Sequence, residues 1–336
     1  MHREQIVEKA RYKACRTKLS RNLLLVLVAT LLPFVMLELG MRLYHVYVRV
    51  RSPYRQADKP GVIFVRKPHA GPEVNSLGFR DHEYETQKPA GLFRIIVLGD
   101  SITNGYRLDF EDMYTKRLES LLNAHVQRYE VISFGMNQYS TVQEVALFKE
   151  LGLSMRPDLV IIAYVLNDPT PGGSINNFFM RDKATSLALE WIIRKSKAVL
   201  RVEDRYNQLK GCRYFDYYSR MHCDADKWAA VSASLRELRE LSRRYDFHVL
   251  LVIFPLLEND ALASFEEYRW GYIREQVIEE ATRNGFSSLD LLPSFGKWQP
   301  SVLKVAPNDM LHPNKLGNQV VAPAIYRALV GLGIKK

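Results

Sequence analysis

The chain has 336 residues, 47% apolar and 25% charged, with no repeat or low-complexity tract. That balance builds a packed core and excludes a disordered or fibrous chain, and the length holds one large domain or two small ones. The formal charge is +10. Half of that excess lies in residues 1–21, where Arg3, Lys9, Arg11, Lys13, Arg16, Lys18 and Arg21 face only Glu4 and Glu8; placed just before an apolar segment, it reads as a membrane-topology signal and argues against a nucleic-acid partner.

The first element is that apolar segment, Leu23–Leu37, fifteen residues without a charge. Extended to Met41 at the cost of Glu38, it reaches the roughly 20 residues that a spanning helix needs. A cleaved signal peptide is the competing reading, but no small-x-small pattern follows; the next residues are Glu38, Leu39, Gly40, Met41 and Arg42. Lysine and arginine are denser before the segment than after it, which puts the N-terminus in the cytoplasm and the remainder outside. The expectation is a basic cytoplasmic tail over 1–21 and a single-pass transmembrane signal anchor over 22–41. Residues 42–91 read as linker and lead-in, rich in Pro, Gly and charge from 51 onward, with a turn at Asn75-Ser76-Leu77-Gly78-Phe79-Arg80.

Strands and helices then alternate. Strands are predicted at 94–98, 130–134 and 158–166, and helices at 114–126 and 141–151. An insertion at about 169–223 interrupts the pattern with an apolar-rich helix near Leu187–Ile193 and an aromatic, basic stretch. The alternation resumes with a helix at 227–245, a strand at 248–254, a helix at 265–284, a strand at 287–291 and a terminal helix from Asn314. Five strands between helices predict an α/β domain over 92–334, its largely parallel sheet covered on both faces. Cys15 falls in the tail. Cys212 and Cys223 either pair in an oxidising compartment or stand as two unrelated thiols. The insertion's Phe178, Phe179, Trp191, Tyr214, Phe215, Tyr217 and Tyr218 suit sugar stacking, an acyl pocket, a lipid interface or a small satellite core.

The chemistry-bearing residues sit at strand ends. Gly99-Asp100-Ser101-Ile102-Thr103 follows the first strand directly, and the carboxyl end of a parallel strand is where α/β sheets bind ligands. Ser101 is the candidate nucleophile, or else a helix cap. Imidazole ordinarily titrates near neutrality, which makes His312 the candidate general base. Asp309, three positions earlier, either holds that imidazole or caps a helix. An acyl-transfer intermediate also needs donors for its oxyanion. The backbone N–H groups of Ser101 and Gly135 and the side-chain amide of Asn167 stand at the ends of three successive predicted strands. The glycine turn lacks the lysine and spacing of a phosphate-binding loop, and the eight histidines show no paired ligand spacing, so neither a nucleotide nor a metal is expected.

These blocks resemble the SGNH or GDSL hydrolase superfamily. Gly99-Asp100-Ser101-Ile102 is similar to its nucleophile block, Gly135 to its glycine block, Asn167-Asp168 to its asparagine block, and Asp309-Met310-Leu311-His312 to its Asp-x-x-His block, in the family's order across roughly 95–330. The resemblance implies a three-layer α/β/α, flavodoxin-like fold with a central five-stranded parallel sheet and no cofactor. It further implies Ser101 as nucleophile, His312 as base, Asp309 as its partner, and Ser101, Gly135 and Asn167 as the oxyanion hole. Two departures are visible: Val165 stands where the third block usually has glycine, and Ser133 and Gln138 replace an asparagine and a second glycine around Gly135.

The tail, anchor and lead-in Asn75-Ser76-Leu77-Gly78-Phe79-Arg80-Asp81 resemble membrane-anchored bacterial members, several of which add or remove acyl groups on extracytoplasmic glycans. The expected function is therefore a serine esterase in the bacterial inner membrane, its catalytic domain on the periplasmic or extracellular side, hydrolysing O-acyl esters (acetyl above all) on an envelope or exported polysaccharide. An O-acyltransferase using the same triad, beside a membrane acyltransferase partner, is one alternative. A non-catalytic scaffold of an envelope glycan assembly is the other.

Overall fold

The computed structural model describes residues 2–59, 61–169, 216–258 and 268–334. The chain divides into two compact units, one holding the N-terminal helix and the other beginning at Pro53.

The first unit's helix, α1, runs unbroken over His2–Arg51. Within it Arg21–Tyr44 has a mean hydropathy of 2.4. Leu23, Val26, Leu32 and Met36 all stand exposed. A helix apolar all round needs an apolar surrounding, and this one is long and apolar enough to cross a membrane. It continues past Met41, where Glu38 and Arg42 pair one turn apart at 2.7 Å, so residues 42–51 are helix rather than linker.

The second unit opens with an antiparallel hairpin, β1 (Tyr54–Lys59) and β2 (Val62–Arg66), with Tyr54 opposite Arg66. The polar sequence of β1 conceals it as a lead-in. Alternation in β2 buries Val62, Phe64 and Arg66, and Phe64 meets Tyr54 and Tyr139 edge-on at 5.2 and 5.1 Å. The turn expected at 75–80 forms, closed by a bridge between Val74 and Arg80.

The central sheet contains β3 (Phe93–Gly99), β4 (Tyr129–Gly135), β5 (Leu159–Tyr164), β6 (His248–Ile253) and β7 (Ser287–Asp290), all parallel in the order β4-β3-β5-β6-β7. Its inner strands are apolar on both faces: Ile95, Ile96, Val97 and Leu98, and Leu159 to Ile162, are fully buried. Each such side chain contributes roughly 1.5–3 kcal/mol relative to exposure. Continuous apolar runs of this kind belong to strands covered on both sides. The covering helices are α2 (Tyr114–Leu122), α3 (Thr141–Leu147), α4 (Tyr217–Cys223), α5 (Ala225–Tyr245), α6 (Gly271–Arg283) and α7 (Lys315–Gly331). Helix α2 packs on α7 and α3 on α5, and right-handed crossovers put those pairs on opposite faces.

Two helix ends differ from the sequence reading for local reasons. Helix α2 stops at Leu122, not 126, because the Asn123 side chain accepts from the N–H groups of Arg128 and Tyr129 and donates to the Tyr129 carbonyl, turning the chain straight into β4. Helix α3 ends at Leu147 and relaxes into a wider turn over Phe148–Gly152. Most of the insertion, with Phe178, Phe179, the helix near Leu187–Ile193, Cys212, Tyr214 and Phe215, lies outside the described residues. Cys223, at the end of α4, is disulfide-bonded.

Candidate active site

Strand order reverses around β3: the chain leaves it for β4 on one side and returns to β5 on the other. A crevice opens at such a switch point, beyond the carboxyl ends of the strands. Ser101 stands two residues past β3, Gly135 ends β4, and Asn167 lies three residues past β5. Asp309 and His312 come from the loop before α7.

Buried polar links bring the far loop to the nucleophile. The Asn318 side chain, on α7, accepts from the Tyr114 N–H and donates to the Pro313 carbonyl, while the Tyr114 hydroxyl meets Thr103 Oγ1 at 2.7 Å in the nucleophile turn. Asn314 caps α7 by accepting from the Gly317 N–H, and it donates to the carbonyls of Val302 and Lys304. The Met310 carbonyl accepts from the Leu257 N–H beyond β6. With Gly99 opposite Gly135 in the ladder, the first two strand ends are level. A Cβ on Gly135 would lie 2.3 Å from the Asn104 nitrogen, so only glycine permits this approach of the two loops.

The outcome is a continuous relay. Ser101 Oγ lies 2.8 Å from His312 Nε2. His312 Nδ1 lies 2.9 Å from both carboxylate oxygens of Asp309. One of those oxygens also accepts from the backbone N–H groups of Leu311 and His312. Burial pushes the Asp309 carboxyl up, but these N–H donors and the imidazole outweigh it and hold it below the usual carboxylate range. It therefore stays ionised opposite Nδ1, so Nδ1 carries the proton and Nε2 is free to accept the serine's. Among the described residues no group of three or more His, Cys, Asp or Glu is arranged for a metal.

Sequence reasoning missed the polar layer beneath the serine. Asp100 is buried; its carboxylate accepts from the Ile102 N–H at 2.9 Å and from Asn167 Nδ2 at 3.3 Å, which ties the Asn167 amide to the nucleophile turn. Behind it Asp168 accepts from Thr141 Oγ1 and the Val165 N–H. Both oxygens of the buried Glu144 lack a partner among the described residues. Burial, then the charges of Asp168 and Asp100, push the Glu144 carboxyl well above its ordinary value, and burial with Asp100 does the same to Asp168. Val165, in the place of the family's usual glycine, is buried and leaves the Asn167 contact intact. Tyr106, whose ring lies 4.5 Å from that of His312, was also missed; five residues past the serine, it carried no periodic signal.

Of the expected site residues, the structure links Ser101, His312 and Asp309 in one chain of contacts and sets Gly135 and Asn167 at the ends of the two strands that flank β3. Residues 97–320 match the GDSL-like Lipase/Acylhydrolase family. Solved structures similar to this chain include the acetyl xylan esterase AlAXEase (18% identity, 70% of this chain and 100% of that one, TM-score 0.44). Others are a lipolytic protein of the G-D-S-L family from Veillonella parvula (14%, 71% and 98%, 0.42) and a catalytic mutant of Axe2, an acetylxylan esterase from Geobacillus stearothermophilus (18%, 72% and 95%, 0.46). No curated protein matches the sequence.

Proposed function

We propose, from the premise that this chain belongs to the GDSL-like lipase/acylhydrolase family and is a serine ester hydrolase, that it is a membrane-anchored, extracytoplasmic esterase that removes O-acyl groups, acetyl above all, from an envelope or exported polysaccharide. The observation that carries the chemistry is the relay from Ser101 Oγ through His312 to Asp309 at 2.8 and 2.9 Å. His312 Nε2 takes the serine proton as Oγ attacks the ester carbonyl. The N–H groups of Ser101 and Gly135 and the Asn167 amide receive the developing oxyanion, the term of largest weight in such reactions. His312 then gives its proton to the leaving sugar oxygen, and an acyl-Ser101 remains. Water, deprotonated by His312, attacks that ester, and the acid departs with Ser101 restored. Asp309 orients the ring and stabilises its cation throughout.

The location rests on Arg21–Tyr44 and on the basic residues before it. Residues 1–21 lie in the cytoplasm and the unit from Pro53 outside, in an oxidising compartment that permits the disulfide at Cys223. The substrate class rests on that layout, an anchored catalytic unit facing envelope glycans. The test uses the full chain in detergent micelles with a small aryl acetate and an O-acetylated polysaccharide. Both are hydrolysed by the native chain, and Ser101→Ala and His312→Ala each abolish turnover in folded protein. Turnover surviving in either variant would refute the assignment. Acyl groups accumulating on a glycan acceptor faster than free acid would overturn hydrolysis in favour of transfer.

A further inference from the structure

The lead-in Asn75-Ser76-Leu77-Gly78-Phe79-Arg80-Asp81 has no part in the relay, yet its side chains reach the loops that carry it. Building on the esterase reading, we propose that this segment braces the active site, with Arg80 a positioning residue that holds Tyr106 against the His312 imidazole through the carbonyls of Gly105 and Leu108. The turn is made to present it. The Asn75 side chain accepts from the N–H groups of Leu77 and Phe79 and donates to the His82 carbonyl. Gly78 has φ +86°, and a Cβ there would lie 2.4 Å from the Arg66 carbonyl oxygen, so the turn requires glycine.

Three consecutive residues then enter the catalytic unit. Phe79 stacks on Phe134 with ring centroids 4.1 Å apart, and Phe134 directly precedes Gly135. Asp81 accepts from the Ser133 N–H at 2.6 Å. Between them Arg80 donates to the Gly105 carbonyl at 2.8 Å and the Leu108 carbonyl at 2.9 Å, aimed from behind by Glu73 at 2.7 Å. The hairpin adds a second strut: Arg66 donates to Asn104 Oδ1, and Asn104 donates to Asn137 Oδ1, both at 2.9 Å, which ties the nucleophile loop to the Gly135 loop.

Arg80 thus grips the two ends of a short loop whose tip is Tyr106 and Arg107. Arg107 is left-handed at φ +58°, a conformation that costs energy and persists where neighbours enforce it. The Tyr106 ring lies 4.5 Å from that of His312, tilted by 44°, and its hydroxyl makes no hydrogen bond among the described residues. The ring, not the hydroxyl, is the working part: packed against the imidazole, it keeps His312 turned to Ser101. Separate nitrogens of the planar guanidinium take the two carbonyls, a fixed fork that the single nitrogen of a lysine does not reproduce.

The experiment is a double-substitution cycle on the full chain in detergent, read as kcat and KM for an aryl acetate and as the rate of Ser101 labelling by a fluorophosphonate, with melting curves for each variant. Misplacing a catalytic group by an ångström costs on the order of a hundredfold. Tyr106→Ala is expected to lower kcat and labelling by about tenfold or more with little change in KM, and Tyr106→Phe to recover them. Arg80→Ala should fall similarly, stay low as Arg80→Lys, and be partly restored by millimolar guanidinium. In the Tyr106→Ala background Arg80→Ala should cost little more, since both act on one contact. Folded Arg80→Ala at the native rate, or losses that multiply independently, would overturn the proposal. Should Arg80→Ala not fold, Glu73→Gln takes its place, with a smaller loss that vanishes in the Tyr106→Ala background; a loss that persists there counts against the proposal. A native chain that takes no label would overturn the esterase reading instead.

Discussion

His222 is a buried imidazole whose protonation state the fold dictates. Its Nδ1 lies 2.8 Å from the Tyr218 carbonyl, which only accepts, so Nδ1 carries the proton. Its Nε2 lies 2.8 Å from the Tyr164 hydroxyl and accepts from it, fixing α4 to the end of β5, three residues before Asn167. A second proton would meet that hydroxyl in a dry site. Burial, only partly offset by the Tyr218 carbonyl and by Asp216, lowers the imidazole from 6.5 to about 4. The unfolded chain therefore binds more protons than the folded one between those values, and stability falls as pH drops through that window. At 1.36 kcal/mol per pKa unit the full effect is roughly 3.4 kcal/mol, and about 2 kcal/mol of it is lost between pH 7.5 and 5. Urea unfolding of the native chain and His222→Asn at those two pH values isolates the contribution, because the amide keeps a donor toward Tyr218 but does not titrate. The native chain should lose about 2 kcal/mol more than the variant. Parallel pH dependences would refute the reasoning.

Glu144→Gln works in the opposite direction: a carboxyl held neutral in the fold loses relative stability as rising pH ionises the unfolded chain. The variant should be more stable than native by at least about 1 kcal/mol at pH 8, an advantage that vanishes toward pH 4 in the same urea assay. Lys116→Met strands the buried Asp81 that pairs with it at 2.6 Å and should cost about 3–5 kcal/mol in denaturant unfolding; a loss under about 1 kcal/mol would mean that the pair is effectively solvated. Gly135→Ala should lower kcat for an aryl acetate by about tenfold or more, because its Cβ would displace the Asn104 backbone; native kcat would show that the two loops have room to separate.

What the sequence discloses follows the range of the interactions. The strands are legible because burial on both faces demands continuous apolar runs, so Ile95-Ile96-Val97-Leu98 announces β3 without any partner in view. The pairing of Asp309 with His312 is legible because three residues of loop bring them together. Contacts across the chain leave no such mark. Little in Tyr54–Lys59 signals a strand, since Arg55, Gln56 and Lys59 face solvent and the contact that seats it is that of Tyr54 with the distant Phe64. Arg80 reaches Gly105 and Leu108 over a distance in sequence that no periodicity spans, and Glu144 looks like a surface residue at a helix start. The family blocks locate the reacting groups, whereas the residues that hold them at 2.8 and 2.9 Å belong to the packing of this particular unit.

The central claim is that Ser101 carries the acyl group. Acid-quenching the native chain during turnover of an aryl acetate, then digesting it and mapping acetylated peptides by mass spectrometry, tests this directly. The expected result is an acetyl ester on Ser101, in larger yield when the quench falls before deacylation; acetyl on another residue, or hydrolysis with no covalent adduct at any quench time, would contradict it.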